Sequence, residues 1–80
     1  MKKANDLLKE LGWEIIHEDN MFIIYEWKNK WGISYKLVFC LEQRCIELTG
    51  YGMYDTPFVR LKRSDLKAID RKMKELGWNI

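Results

Sequence analysis

The chain has 80 residues, 48% of them hydrophobic and 14% aromatic, and a formal net charge of +2. Four Trp, four Tyr and three Phe supply enough ring area for a core in so short a chain, which excludes an intrinsically disordered protein. A net charge this small does not by itself imply nucleic acid, and nothing approaches the roughly 18 consecutive apolar residues of a membrane span.

The length predicts a single α-β-α domain over residues 1–80. Met1-Lys2-Lys3 is charged like the start of a signal peptide, but Ala4-Asn5-Asp6 follows where an apolar run should stand. The expectation is a protein of the cytoplasm, with no membrane partner.

In chain order, Ala4, Leu7, Leu8 and Leu11 fall at i, i+3, i+4 and i+7 and predict a first amphipathic helix. It closes with Lys9-Glu10-Leu11-Gly12-Trp13, where Gly12 can take the left-handed conformation after a helix cap. The period then changes to two. Trp13–Glu18 and Met21–Lys28 predict a hairpin around Asp19-Asn20, with Ile15, Phe22 and Ile24 on one face. Ile16, Ile23, Tyr25 and Trp27 take the other, so both faces of this hairpin are apolar.

Ile33–Leu41 and Arg44–Thr49 predict a second hairpin around Glu42-Gln43. Pairing Leu41 with Arg44 sets Phe39 opposite Ile46 and Leu37 opposite Leu48 on one face. Lys36, Val38, Cys40, Cys45, Glu47 and Thr49 line the other. A loop over residues 50–57 follows, then a short run over 58–63 that predicts a fifth strand. The last helix has Leu66, Ile69, Met73 and Leu76 as its apolar stripe, with Ser64 or Asp65 as N-cap, and it closes with a second Lys-Glu-Leu-Gly-Trp at residues 74–78. The fold class is therefore α+β: an N-terminal helix, an antiparallel meander of four to five strands and a C-terminal helix, both helices on one face of the sheet. Each terminal Trp is expected against its own helix, Trp13 on Leu8 and Trp78 on Met73.

Catalytic chemistry finds little to work with. Cys40 and Cys45 oppose each other across the second hairpin and are expected as free thiols. Two Cys and the single His17 do not make four zinc ligands, and Gly50-Tyr51-Gly52 lacks the third glycine and the helix of a phosphate loop. The expectation is a non-enzymatic protein without cofactor or metal.

Binding residues are easier to find. Residues 60–80 carry seven basic and three acidic side chains, against seven and nine in residues 1–59. Lys67, Arg71 and Lys74 share one helix face, joined by Arg63 just before it, and such a face can follow a phosphate backbone or grip an acidic protein. A helix face already neutralised by an Asp70–Lys74 pair is the plainer alternative. Trp31 in the turn Asn29–Gly32, and Tyr51, Met53 and Tyr54 in the following loop, are large side chains on loops, the type that anchors interfaces. Trp27, with Ile23 and Tyr25, marks a sheet face that a second copy could cover to form a homodimer.

The order of elements is similar to the double-stranded-RNA-binding fold, although Ser64-Asp65 puts an acid where that family starts its second helix with lysines. Asp65-Leu66-Lys67-Ala68-Ile69 running into Lys74-Glu75-Leu76-Gly77-Trp78 behind a strand-rich body resembles the small orphan proteins encoded by phages and prophages of Gram-positive bacteria. The resemblance is specific over the last fifteen or so residues. It implies an accessory protein in an infected bacterial cytoplasm, and it transfers no site residues. The functional expectation is a stoichiometric inhibitor of a host protein or ribonucleoprotein, of the counter-defence (anti-CRISPR-like) kind. The alternative is a nucleic-acid-binding domain using the basic C-terminal helix.

Overall fold

The computed structural model describes residues 2–51 and 61–78, with Tyr51 described through its backbone only. The order is α1 (Ala4–Glu10), β1 (Glu14–Glu18), β2 (Phe22–Lys28), β3 (Ser34–Cys40), β4 (Cys45–Tyr51) and α2 (Arg63–Glu75). The protein is α+β, an N-terminal helix, a four-stranded antiparallel meander and a C-terminal helix. The fifth strand expected at 58–63 lies mostly outside the described residues; Arg63 at its end is the first residue of α2. No helix among the described residues is long and apolar enough to cross a membrane.

By its internal contacts the chain divides into two compact units, Trp13–Val59 and Met1–Gly12 with Arg60–Ile80. In the first unit the sheet runs β1-β2-β3-β4. The β3–β4 register matches the sequence pattern: Phe39 opposes Ile46, Leu37 opposes Leu48 and Cys40 opposes Cys45. Ile23, Tyr25, Leu37 and Phe39 project to one face and are buried, with the Tyr25 and Phe39 rings edge to face at 5.7 Å. Core residues of this kind contribute about 2–3 kcal/mol each in transfer free energy.

The first hairpin departs from the expected register. Asp19 spreads the turn over four residues: its carboxylate Oδ1 accepts from Met21 N at 2.8 Å and Phe22 N at 2.7 Å. Glu18 therefore pairs with Ile23, and a bulge between Ile15 and His17 places Ile15, not Ile16, opposite Tyr25. Ile15 joins the Tyr25 face instead of the Phe22 and Ile24 face. Extending the turn shifts the pairing, and the bulge absorbs the extra residue.

In the second unit α1 packs against α2. Ala4 and Leu8 of α1 and Ala68 and Ile69 of α2 are its buried apolar residues. Both helices stop as the repeated motif implies. Gly12 (φ +97°) and Gly77 (φ +79°) take the left-handed conformation, and their N–H groups donate to Lys9 O and Lys74 O, both at 3.0 Å. At the second stop Trp78 N also reaches Met73 O at 2.9 Å, completing the double hydrogen bond of a glycine-terminated helix.

Two expectations for α2 are corrected. Its N-cap is Lys62, not Ser64 or Asp65; Asp65 sits three residues in and its Oδ2 accepts from Lys62 N at 2.8 Å. The reciprocal half of a capping box is absent because a lysine side chain has no acceptor. The buried face is also rotated by one residue: Asp65, Ala68, Ile69 and Lys72 are buried, whereas Leu66 is 55% exposed. The rotation follows from polar ties no apolar pattern encodes. Lys72 buries its stem and brings Nζ to Asn5 Oδ1 at 3.3 Å, and Glu75 Oε2 accepts from Ala4 N at 2.7 Å.

Candidate functional site

The basic face of α2 forms one side of a groove of about 360 Å³ lined by Lys2, Leu7, Lys67, Asp70, Arg71 and Lys74. Four cations face one acid over an apolar floor. The structure thus brings Lys67, Arg71 and Lys74 together as their i, i+4, i+7 spacing implies. It adds Lys2, which a helix-periodicity argument cannot reach because it precedes α1.

These cations are not equally available. Lys74 Nζ lies 3.0 Å from Asp70 Oδ2, the pair foreseen from the sequence. Arg71 donates through Nη2 to Lys2 O at 3.4 Å, and its Nε stands 3.8 Å from Glu75 Oε2. Lys2 pairs with Glu10. Lys67 is exposed and carries no ion pair among the described residues. Exposed pairs of this kind are worth only about 0–1 kcal/mol each, so an incoming anion can displace them. Arg63, the first residue of α2, is also exposed, and with Lys62 it puts two positive charges at a helix end whose dipole is already positive.

Trp31 presents a different surface. It is 65% exposed, the most exposed large hydrophobic side chain among the described residues. The turn beneath it is firmly held. Asn29 Oδ1 accepts from Trp31 N at 2.9 Å and Ile33 N at 3.1 Å, and Asn29 N donates to Ile33 O at 3.0 Å. Gly32 supplies the left-handed residue, φ +80°. Lys30 Nζ stands 4.8 Å above the Trp31 ring, a cation–π contact not expected from the sequence.

Trp27 does not stand free: its ring stacks on Tyr35 across the β2–β3 pair, centroids 5.1 Å apart and planes 11° from parallel. Tyr51 ends β4 opposite Ser34, which also pairs with Lys28. The Trp31 turn and the end of β4 at Tyr51 therefore lie at the same end of the sheet. Met53 and Tyr54 lie outside the described residues. Ile23 and Tyr25 are 3% and 2% exposed within a single chain, so these two side chains offer no free area to a second copy.

At the far end of the sheet Ile16, Met21 and Phe22 are exposed around the Asp19 turn. There the Asp19 carboxyl is held down to about 2, first by the Phe22 N–H, then by His17 and the Met21 N–H, each stabilising the ionised form. His17 Nε2 lies 2.7 Å from Asp19 Oδ2. Among the described residues no three His, Cys, Asp or Glu side chains gather as a metal site.

No protein-family model, curated protein or solved structure matches the chain.

Proposed function

We propose that this chain is a small non-enzymatic accessory protein that binds a macromolecule stoichiometrically and blocks it, with Trp31 as the anchor of the interface. The exposure of Trp31 carries this reading. An indole left in water on a turn fixed by four hydrogen bonds is pre-ordered, so docking it into a pocket loses little further entropy. The likeness of the last fifteen residues to small phage and prophage proteins of Gram-positive bacteria supports a host protein or ribonucleoprotein as the target, and a counter-defence role.

An anchor tryptophan typically carries about 2–4 kcal/mol, so Trp31→Ala should weaken partner binding by roughly 30- to 1000-fold. The test is capture from a bacterial lysate with the tagged parent and the variant in parallel, and a thermal melt of each. A partner retained by the parent, lost by the variant, with superposable melts, supports the reading. Equal capture by both, or nothing above background, refutes it.

A second reading, nucleic-acid binding, is favoured by the groove that gathers Lys2, Lys67, Arg71 and Lys74. Three phosphate contacts would give a slope of log K against log salt of about −2.7. Affinity for duplex or single strands that survives reversal of Lys67, Arg71 and Lys74 to Glu rules this reading out.

A further inference from the structure

Cys40 and Cys45 are directly opposed at the last pair of the β3–β4 hairpin, with Leu41–Arg44 as the turn between them. Both are free thiols. As direct cross-strand partners they project to the same face of the sheet, and burial is the first cause that pushes the Cys40 thiol up. They differ in access. Cys40 is 5% exposed, while Cys45 is partly exposed and its Sγ donates to Gln43 Oε1 at 3.6 Å.

The backbone allows this pair no slippage. Cys40 is held in register on its other side by Phe22, and Leu41 N donates to Met21 O at 2.9 Å. Arg44 accepts a left-handed φ of +54° to close the turn. Opposed residues of an antiparallel pair have Cβ atoms about 4.5–5.5 Å apart. A disulfide needs Cα atoms about 4.4–6.8 Å apart, a range that such pairs occupy, and Cβ atoms about 3.5–4.5 Å apart, so closing the bridge draws the two strands slightly together here.

We propose that Cys40 and Cys45 form a redox-active dithiol which a low-molecular-weight disulfide converts to an intramolecular bridge, Cys45 entering first and Cys40 resolving. In the first step the Cys45 thiolate attacks one sulfur of RS–SR. A Cys45–S–S–R bond forms, the reagent's S–S bond breaks, and RS⁻ leaves to take up the proton that Cys45 released. In the second step the Cys40 thiolate attacks Cys45 Sγ, the protein disulfide forms, and a second RS⁻ leaves and is protonated. The two protein thiols lose two electrons, and the reagent gains them as two RSH.

The order follows from the environments. Burial keeps Cys40 protonated and out of reach, whereas Cys45 meets solvent. Once Cys45 is in the mixed disulfide, its sulfur stands directly across the pair from Cys40, the one thiol the register holds opposite it.

The test equilibrates the native chain with mixtures of reduced and oxidised glutathione, traps the thiols by alkylation and counts species by mass spectrometry. Both thiols should disappear together in a monomer, and the pair's effective concentration should be at least about tenfold higher than in the chain unfolded in guanidinium. Equal values in the two states, doubly glutathionylated chain or intermolecular dimers overturn the proposal. Cys40→Ser should stop at a Cys45–glutathione adduct, and Cys45→Ser should leave Cys40 unmodified over the same period, with circular dichroism showing each variant folded. Modification of Cys40 in Cys45→Ser at the rate seen for Cys45 overturns the assignment of roles.

Discussion

Gly32 closes the turn that presents Trp31, and replacing it by alanine isolates one energetic contribution. A Cβ at this position meets nothing within 4 Å, so the substitution creates no clash with the rest of the protein. What remains is the backbone, at φ +80°. An L-residue in the left-handed region costs about 1–2 kcal/mol, and alanine returns about 0.4–1 kcal/mol by restricting the unfolded chain. The net destabilisation is about 1 kcal/mol, a melting temperature lower by about 4–8 °C for a domain of this size. Urea unfolding followed by circular dichroism reads the difference as a lower midpoint at unchanged slope. A D-alanine at position 32, introduced by chemical synthesis, keeps the entropic gain without the strain and should be more stable than the parent. If the L-alanine variant is as stable as the parent, or the D-alanine variant is equally damaged, strain at this turn is not the cause.

Leu37→Ala should cost about 3–5 kcal/mol because its side chain is wholly buried beside Phe39 and Tyr25, whereas Leu66→Ala should stay within about 0.5 kcal/mol; equal losses in denaturant titrations would contradict the rotated face of α2. Glu75→Gln should cost about 1 kcal/mol, because it removes the carboxylate charge at Ala4 N, the first N–H of α1, and circular dichroism should show the loss shrinking in high salt. Asp19 has a carboxyl held below its unfolded value, so its contribution to stability is full above about pH 4 and disappears as pH falls through about 2. The melting temperatures of the parent and Asp19→Asn should therefore differ at pH 6 and converge as pH approaches 2; a constant gap would refute the assignment.

Sequence alone carried the β3–β4 register, although Leu41–Arg44 is the turn and β4 runs on through Gly50 and Tyr51, which were expected in the loop. Leu37, Phe39, Ile46 and Leu48 alternate with the mixed set Lys36, Val38, Cys40, Cys45, Glu47 and Thr49, and a one-residue slip would move all four to the opposite face. The first hairpin was legible only in outline. Its register rests on one carboxylate reaching two backbone N–H groups, and Asp19-Asn20 reads equally as a two-residue turn. Trp31 was legible as a loop aromatic. The Lys30 contact was not, nor was the stacking that engages Trp27, because ring geometry depends on the partner strand.

The repeated Leu-Gly-Trp shows where the division falls. Both helix ends were settled by the chain itself: glycine adopts a positive φ without a steric penalty, and the hydrogen bonds that close the helix come from residues three to five positions away. The roles of the two glutamates in that repeat were decided only by tertiary structure. Glu10 pairs with Lys2, and Glu75 reaches Ala4 N, 71 residues away in the chain, beside Arg71. The same ties set which face of α2 is buried, so the groove of Lys2, Lys67, Arg71 and Lys74 came into view only with the helices packed. Local hydrogen bonds are encoded by neighbouring residues; a helix's rotation depends on side chains supplied from the other end of the chain.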